Sequence, residues 1–569
     1  MSGSVGFRRA LAALVATAAI TGPSAWAKAP PAALVPPVVT ASATWVHQAG
    51  GPLSDAATQV AVDDAGSAYL LGAAGGHLPQ APAAESGSVF VAKYAPDGTE
   101  EWAHQFGTPG VDFGCSIVAD HAGGVAIVGF ARMALSNDDE AWLARYDSAG
   151  NLASRTPINV PPSGCGGAAL DRQGNLYYPG SVVVDIPQAV GPDVLRHAML
   201  LVRVAPDGSV VWTRQLSGTA SVNGVAVAVD RAGRVDVAGY AQGVVDGAQD
   251  QLVGGQLGYG FVASYDRKGV RHWVHEFGNV DTGSSTVAYG VTVDSAGNVA
   301  VAGDTSSTLV GSPDFNSGES NAFVVDYTSG GAVRWIRQLG AVHGPPGSAS
   351  GKYGFAVAAD GDGDVVLAGL TVEPTVGHPS PWNDEAFAAE LDPQGSLVGY
   401  SRIGSPDVDS FGTPTQETAN AVAVDRFGNA VVAGWAWGTL TASLEANAGQ
   451  RDAFVVRYQA ESTAAIGDAK ARAQSGVVQF VVKLDQPSRT PISVDYETHD
   501  GTAEAGVDYV HTFGTLVIPA GATQASIPVT IGAAPSRTGR LQFTMALTNP
   551  SAVALTRAAA VGTIILPKH

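Results

Sequence analysis

The sequence predicts an all-β protein: a seven-bladed β-propeller followed by an immunoglobulin-like β-sandwich. Three observations carry this. A hairpin built on an Asp-x-x-Gly turn recurs seven times. A strand of the form W-x-x-Q-x-G recurs along the same stretch. Beyond Tyr458 the repeat stops, and short alternating strands separated by turn signals take over. Composition agrees, because 71 Gly and 33 Pro with only 14% charged residues suit a chain of many turns.

The hairpin is clearest at Ala421–Gly434, AVAVDRFGNAVVAG. Two short Val-rich runs flank a turn with Asp first and Gly fourth, which suits a type I turn. The turn Asp recurs at Asp63, Asp120, Asp171, Asp230, Asp294, Asp360 and Asp425, and each second strand ends on a Gly. A loop of variable length leads to a third strand, as FVAKY at Phe90–Tyr94. A tight turn such as Pro96-Asp97-Gly98 then leads to the fourth. Trp45, Trp102, Trp212, Trp273, Trp335 and Tyr400 read as one position in that strand. Copy three reads as the most degenerate, with Ser154 near the place of the Trp. Four antiparallel strands per copy, seven times over, give the propeller. Trp45 precedes the first complete copy, and the seventh copy lacks a fourth strand after Tyr458. Thr44–Ala49 is therefore expected to pair with Phe454–Tyr458 and close the ring without leaving an open sheet edge. The pattern resembles the bacterial beta-propeller repeat family over residues 44–460. That resemblance implies the fold and an exported location, and says almost nothing about activity.

Residues 1–27 read as a secretory signal: the basic pair Arg8 and Arg9, the apolar run Leu11–Ile20 and the cleavage site Ala25-Trp26-Ala27. The apolar run is too short to span a bilayer, and no later run is long enough. The residues after Arg9 fit twin-arginine export poorly, and no Cys follows the run to carry a lipid anchor. Residues 28–43 read as a Pro- and Ala-rich leader. Cleavage would take the net charge from −20 to −22 by removing Arg8 and Arg9. Such an acidic surface argues against nucleic acid and anionic membranes as partners. The expected destination is extracellular or cell-surface, with the periplasm as the other possibility.

Residues 461–569 form the second module. Its run DYETHDGTAEAGVDY, Asp495–Tyr509, resembles the Calx-beta domain, and the likeness extends over residues 462–566. The resemblance implies an immunoglobulin-like sandwich and, in exported proteins, an adhesion or spacer role. Some members bind calcium through acids clustered at one end. The family's Glu near the first strand is replaced here by Ala471-Arg472-Ala473, and its Asp-Asp pair by Ala533-Ala534. Further Glu positions read Arg537, Arg540 and Leu541, leaving Asp500 and Asp508. A hard cation needs about six to eight oxygen ligands, so this domain is expected to bind no calcium.

No catalytic, metal or cofactor constellation stands out. His47, His104 and His275 lie two residues after the fourth-strand Trp, and Arg214, Arg337 and Arg402 read as their counterparts. The plain reading is a basic residue on an outer strand. No HExxH or paired-His spacing is present. Asp360-Gly361-Asp362-Gly363-Asp364 resembles the start of a calcium loop, but Asp360 is the repeat's turn Asp. The long, variable loops share one face of the ring, and variable loops on a rigid scaffold are where binding concentrates. Trp382, Trp435 and Trp437 follow second strands in copies six and seven. Their faces suit sugar or peptide stacking, and packing of the loops is the plainer alternative. Cys115 and Cys165, the two cysteines of the chain, precede the turn Asp of copies two and three. In an exported protein they are expected to form one disulfide. The reading is a secreted or cell-surface, non-enzymatic binding or adhesion protein with a protein or glycan ligand on the loop face. The rival is a propeller enzyme, acting on glycans or as a quinone-dependent dehydrogenase.

Overall fold

The computed structural model describes residues 43–82, 87–107, 111–120, 122–132, 139–158, 166–186, 194–248, 258–278, 285–310, 312, 320–340, 351–373, 383–405, 415–441, 443, 445–459, 462–484, 488, 491–519, 521–532, 539–551 and 553–567. Residues 43–458 build seven four-stranded sheets, and residues 463–565 build two more, of four and five strands. None of the helices among the described residues is long and apolar enough to cross a membrane.

Within the seven sheets every pairing is antiparallel, as in sheet one, which runs from Ala56–Val62 through Ala68–Ala73 and Val89–Tyr94 to Glu100–Phe106. The first strand of each sheet adjoins that of the next, and the first strand of sheet seven returns to that of sheet one. Neighbouring sheets therefore cover each other's faces. Third strands such as Val89–Tyr94 and Asp452–Tyr458 are buried at every position, and their apolar runs are continuous rather than alternating. Fourth strands such as Val210–Leu216 alternate, because one face meets solvent. The cores lie between sheets: Val431, Ala433 and Val455 of sheet seven pack with Val60, Leu70 and Phe90 of sheet one.

Two local devices repeat. The turn Asp accepts backbone N–H groups two and four residues on, as Asp63 does from Ala65 (2.9 Å) and Ser67 (2.8 Å). The second-strand Gly faces a bulge in the first strand in six of the sheets. At Gly434 a Cβ would lie 1.8 Å from the Thr418 carbonyl oxygen, so only glycine admits that approach.

Sheet seven closes as the sequence predicts. Ala43–Ala49 pairs antiparallel with Ala453–Tyr458, placing Trp45 opposite Arg457. The third and fourth strands of this sheet therefore come from the two ends of the ring, and no turn joins them.

Adjacent sheets are latched by the outer-strand Trp. The Trp45 indole N–H donates to the Pro96 carbonyl at 3.1 Å, Trp102 to Ser148 at 3.2 Å, and Trp212 to Arg267 at 3.2 Å. Trp273 donates to Ser329 at 3.2 Å, and Trp335 to Pro393 at 3.1 Å. Each acceptor lies in the third–fourth turn of the following sheet. The turn glycine sits under the indole: at Gly98, with φ 91°, a Cβ would come 2.8 Å from the Trp45 ring. The outer-strand His joins in. His47 stacks on Tyr94 at 5.1 Å, His104 on Tyr146 at 5.7 Å, and His275 on Tyr327 at 5.4 Å. Arg214 and Arg337 instead donate to the carbonyls of Gly269 and Gly395 in that turn. The basic position is thus part of the latch. A hydrogen bond and a ring contact together contribute roughly 1–2 kcal/mol per seam.

Register corrects three readings. In sheet one the outer strand bulges, so Glu100 opposes Tyr94 and Trp102 opposes Lys93. In sheet six Leu397 opposes Leu391 and Gly399 opposes Glu390. Gly399, not Tyr400, therefore holds the Trp position, and Ser401, not Arg402, holds the His position. Residues one apart face opposite sides of a strand, so an aromatic one step out of phase cannot serve. Ser154 opposes Arg145 in sheet two, so the second copy lacks the Trp and the third keeps Trp212. Sheet three is irregular elsewhere: its first strand is only Ala169–Leu170.

The C-terminal sheets form a sandwich around Phe480, Tyr509 and Phe543, with the last two rings stacked at 4.4 Å. Asp500 accepts from the Tyr509 hydroxyl (2.7 Å) and the Ala505 N–H (2.8 Å). Asp508 accepts from the Glu504 N–H at 2.9 Å. Both carboxylates thus bind their own turn; Ala533, Ala534 and Arg537 lie outside the described residues.

Deleting residues 28–50 from the mature chain should expose the Asp452–Tyr458 edge and remove one latch. Calorimetry should then show Tm lowered by at least about 3 °C. An unchanged Tm would contradict the closure.

Candidate functional site

The end of the sheets opposite the turns carries the long loops. In sheets one, five and seven these are held by the Gln of W-x-x-Q. Gln105 Oε1 accepts the Leu78 N–H at 2.9 Å, and its Nε2 donates to the carbonyls of Gly76 and Gly87. Gln338 accepts the Leu309 N–H and donates to Ser307, and Gln48 accepts the Leu440 N–H and donates to Gly438. One amide therefore pins each of these three loops by both its donor and its acceptor. The position opposite Phe or Leu of the third strand puts this amide inside, which is why it is buried at Gln48, Gln105 and Gln338.

Sheet four carries Glu276 at this position. Its Oε1 accepts the Val245 N–H at 2.7 Å, while Oε2 is buried without a partner. Burial pushes its acid up to about 7, against the lowering effect of the Val245 bond. The protonated acid can donate where Gln48, Gln105 and Gln338 place an amide.

Two of the three loop-face tryptophans come together. Trp435 opposes Thr418 and Ala453 at the end of the second strand, and Trp437 follows it, 42% exposed. The Arg451 guanidinium lies 5.0 Å from the Trp435 ring centre and 5.8 Å from that of Trp437. Arg451 Nε also donates to Ser54 Oγ at 3.0 Å, tying this loop to the start of sheet one. Beside it, Asp452 accepts the Ala448 N–H, and burial pushes its acid up to about 6. Asp55 accepts from Gly51 and Gly75. Asp452 and Asp55 thus hold loop ends, whereas Glu385 lies within the third strand Asn383–Leu391 and pairs with Arg402 of the fourth. Trp382 lies outside the described residues, so its place relative to Trp435 and Trp437 is not part of this geometry.

Sequence reasoning missed Arg451 as the partner of both indoles. Its only signal is its place just before the third-strand acid Asp452. In sheet six the pairing of the second and third strands runs past Gly369 to Glu373 opposite Asn383. Asp360 accepts three backbone N–H groups of its own turn, from Asp362, Gly363 and Asp364. No group of three or more metal-ligating side chains is found among the described residues. Cys115 is the bulge residue of the first strand of sheet two and is buried. Cys165, its expected partner, lies outside the described residues.

Comparison with known proteins agrees with both modules. Residues 465–566 match the Calx-beta domain, and residues 272–309 match the beta-propeller repeat. The second match runs from the outer strand of sheet four through the second strand of sheet five. Among solved structures, the apo form of the Calx CBD1 domain is 25% identical, covering 19% of this chain and 100% of that one, with a TM-score of 0.18. CBD12 from CALX1.2 is 28% identical over 19% of this chain and 46% of that one, with a TM-score of 0.18. An acylaminoacyl peptidase is 11% identical over 64% of this chain and 48% of that one, with a TM-score of 0.30. Overlaps this slight say nothing of activity. No curated protein matches the chain.

Glu276→Gln tests the loop staple. The raised acid favours the protonated native state, so its contribution is full below about pH 4.5 and fades as pH rises through about 7. The variant should be more stable than wild type by about 1 kcal/mol at pH 8, and the gain should vanish near pH 4.5. Denaturant midpoints at the two pH values measure this. A gain of equal size at both would contradict it.

Proposed function

We propose that residues 43–458 are a seven-bladed β-propeller presenting a ligand-binding loop face. The protein is then a secreted or cell-surface, non-enzymatic binding or adhesion protein. Its Calx-beta domain serves as spacer or attachment module. The cyclic order of the seven four-stranded sheets supports the propeller. The basic–apolar start of the sequence supports export.

The observation that carries the binding role is the Trp435–Arg451–Trp437 cluster on the loop face. An exposed indole offers a planar face to a sugar or an aromatic side chain. A guanidinium between two indoles can donate to a hydroxyl, carbonyl or carboxylate beside that ring. The ligand class is therefore a glycan or a peptide, bound by stacking plus a cationic donor.

Binding of the mature chain to glycan and peptide arrays tests this. Array hits should lose affinity about tenfold in Trp437→Ala, while Tm stays within about 1 °C because the residue lies outside the strands and belongs to no buried core. Trp435→Ala should cost stability as well, since this half-buried residue stands within the second strand and its ring meets Arg451, which ties the loop to Ser54. Silence on both arrays, or undiminished binding by Trp437→Ala, would overturn the assignment.

A further inference from the structure

At the turn end, the seam between sheets three and four carries a groove of about 570 Å³. It is lined by Gln173, Arg203, Val211, Trp212, Arg267 and Lys268. These side chains bring two guanidinium groups, an ammonium and an amide, and no carboxylate. The groove also has an apolar component, because Val211 is 49% exposed.

The third–fourth turn of sheet four sets this seam apart. Arg267 and Lys268 precede its turn glycine, Gly269. The same two places read Pro96-Asp97, Ser148-Ala149, Pro206-Asp207, Ser329-Gly330 and Pro393-Gln394 in the other turns of this kind. A pair of cations thus stands at one turn only, in a chain whose net charge is −20.

The turn is held from sheet three at three successive carbonyls. The Arg267 carbonyl accepts from Arg203 Nη1 at 3.0 Å and from the Trp212 indole at 3.2 Å. The Lys268 carbonyl accepts from Arg214 Nη2 at 2.7 Å, and that of Gly269 from Arg214 Nε at 2.8 Å. Asp266, the acid of the same turn, accepts the N–H groups of Lys268 and Val270. Arg203 itself faces Asp171 at 3.6 Å. The side chains of Arg267 and Lys268 are exposed, and among the described residues they make no hydrogen bond or ion pair. The backbone beneath these two cations is therefore fixed before any ligand arrives, which lowers the ordering cost of binding.

We propose that this groove binds an acidic segment of a partner polypeptide, two carboxylates flanking an aliphatic side chain. Arg267 and Lys268 take the carboxylates, Gln173 adds a donor, and Val211 meets the aliphatic group. The net negative charge of the chain repels such a segment elsewhere and directs it to this seam. A sugar is served less well, because the Arg214 guanidinium lies 5.1 Å from the Trp212 ring centre and occupies the indole face. The groove is at the turn end, away from the long loops, so it stands or falls separately from the loop-face role.

The probe is the blocked peptide acetyl-Glu-Leu-Glu-Glu-Leu-Glu-amide, titrated into the mature chain by calorimetry, with the all-Gln analogue as control. At low salt the acidic peptide should bind with Kd on the order of 1 mM, and the analogue at least about tenfold more weakly. Exchanging the two cations for the pair found in sheet two, Arg267→Ser with Lys268→Ala, should weaken binding at least about tenfold and leave Tm within about 1 °C. Should that double variant not fold, wild-type binding should still weaken at least about fivefold when salt rises about tenfold. Absence of binding at about 10 mM peptide, equal binding of the Gln analogue, undiminished binding by the folded double variant, or salt-independent affinity would each overturn the proposal. Tighter binding of a heparin tetrasaccharide, lost in the same variant, would give the groove to a sulfated glycan and overturn it as well.

Discussion

An indole N–H directed at a backbone carbonyl holds one sheet of this protein to the next, and much of the rest follows from it. The carbonyl must lie in the turn of the neighbouring sheet, so that turn must be tight and of constant length. Its last residue must be glycine, because φ is positive there and the indole lies against it. The outer strand must bulge one residue before the Trp to bring the ring to the correct face. His or Arg two residues on then reaches the same neighbour, by stacking on its Tyr or by donating to its turn. One contact thus explains the W-x-H and W-x-R spacings and the uniformity of the turn end.

The opposite end obeys a different constraint. A loop of any length can be accommodated if its base is pinned, and the buried Gln of the outer strand does this with one acceptor and one donor. The same strand therefore latches the neighbouring sheet at one end and its own loop at the other. Variation is confined to what lies beyond the staple. In sheet four the replacement of Gln by Glu keeps the acceptor and makes the donor depend on a proton.

Much of this was legible in the sequence because the repeating parts are local. The Asp turns, the strand pairs and the closing strand around Trp45 all follow from short-range patterns and a count of copies. What escaped depended on register or on distant partners. Tyr400 reads as the sixth aromatic of a series, yet the bulge is the same as before Trp102 and Tyr400 stands one residue further from its turn glycine Gly395 than Trp102 does from Gly98, so the place falls to Gly399. His47, His104 and His275 read only as basic residues on an outer strand, because their partner tyrosines lie in the next sheet. Trp435 and Trp437 were singled out, but Arg451 between them was not, since nothing in the spacing links residues across a loop. The C-terminal turn signature was plain, and its two acids prove to be hydrogen-bonded to that turn.

The central claim is that the outer-strand indoles are structural hydrogen-bond donors. Indole N–H exchange, followed by nuclear magnetic resonance on the mature chain labelled with 15N-tryptophan, tests it most directly. The signals of Trp45, Trp102, Trp212, Trp273 and Trp335, assigned by single Trp→Phe variants, should exchange at least about tenfold more slowly than that of Trp437. Exchange of all five at the rate of exposed Trp437 would contradict the account.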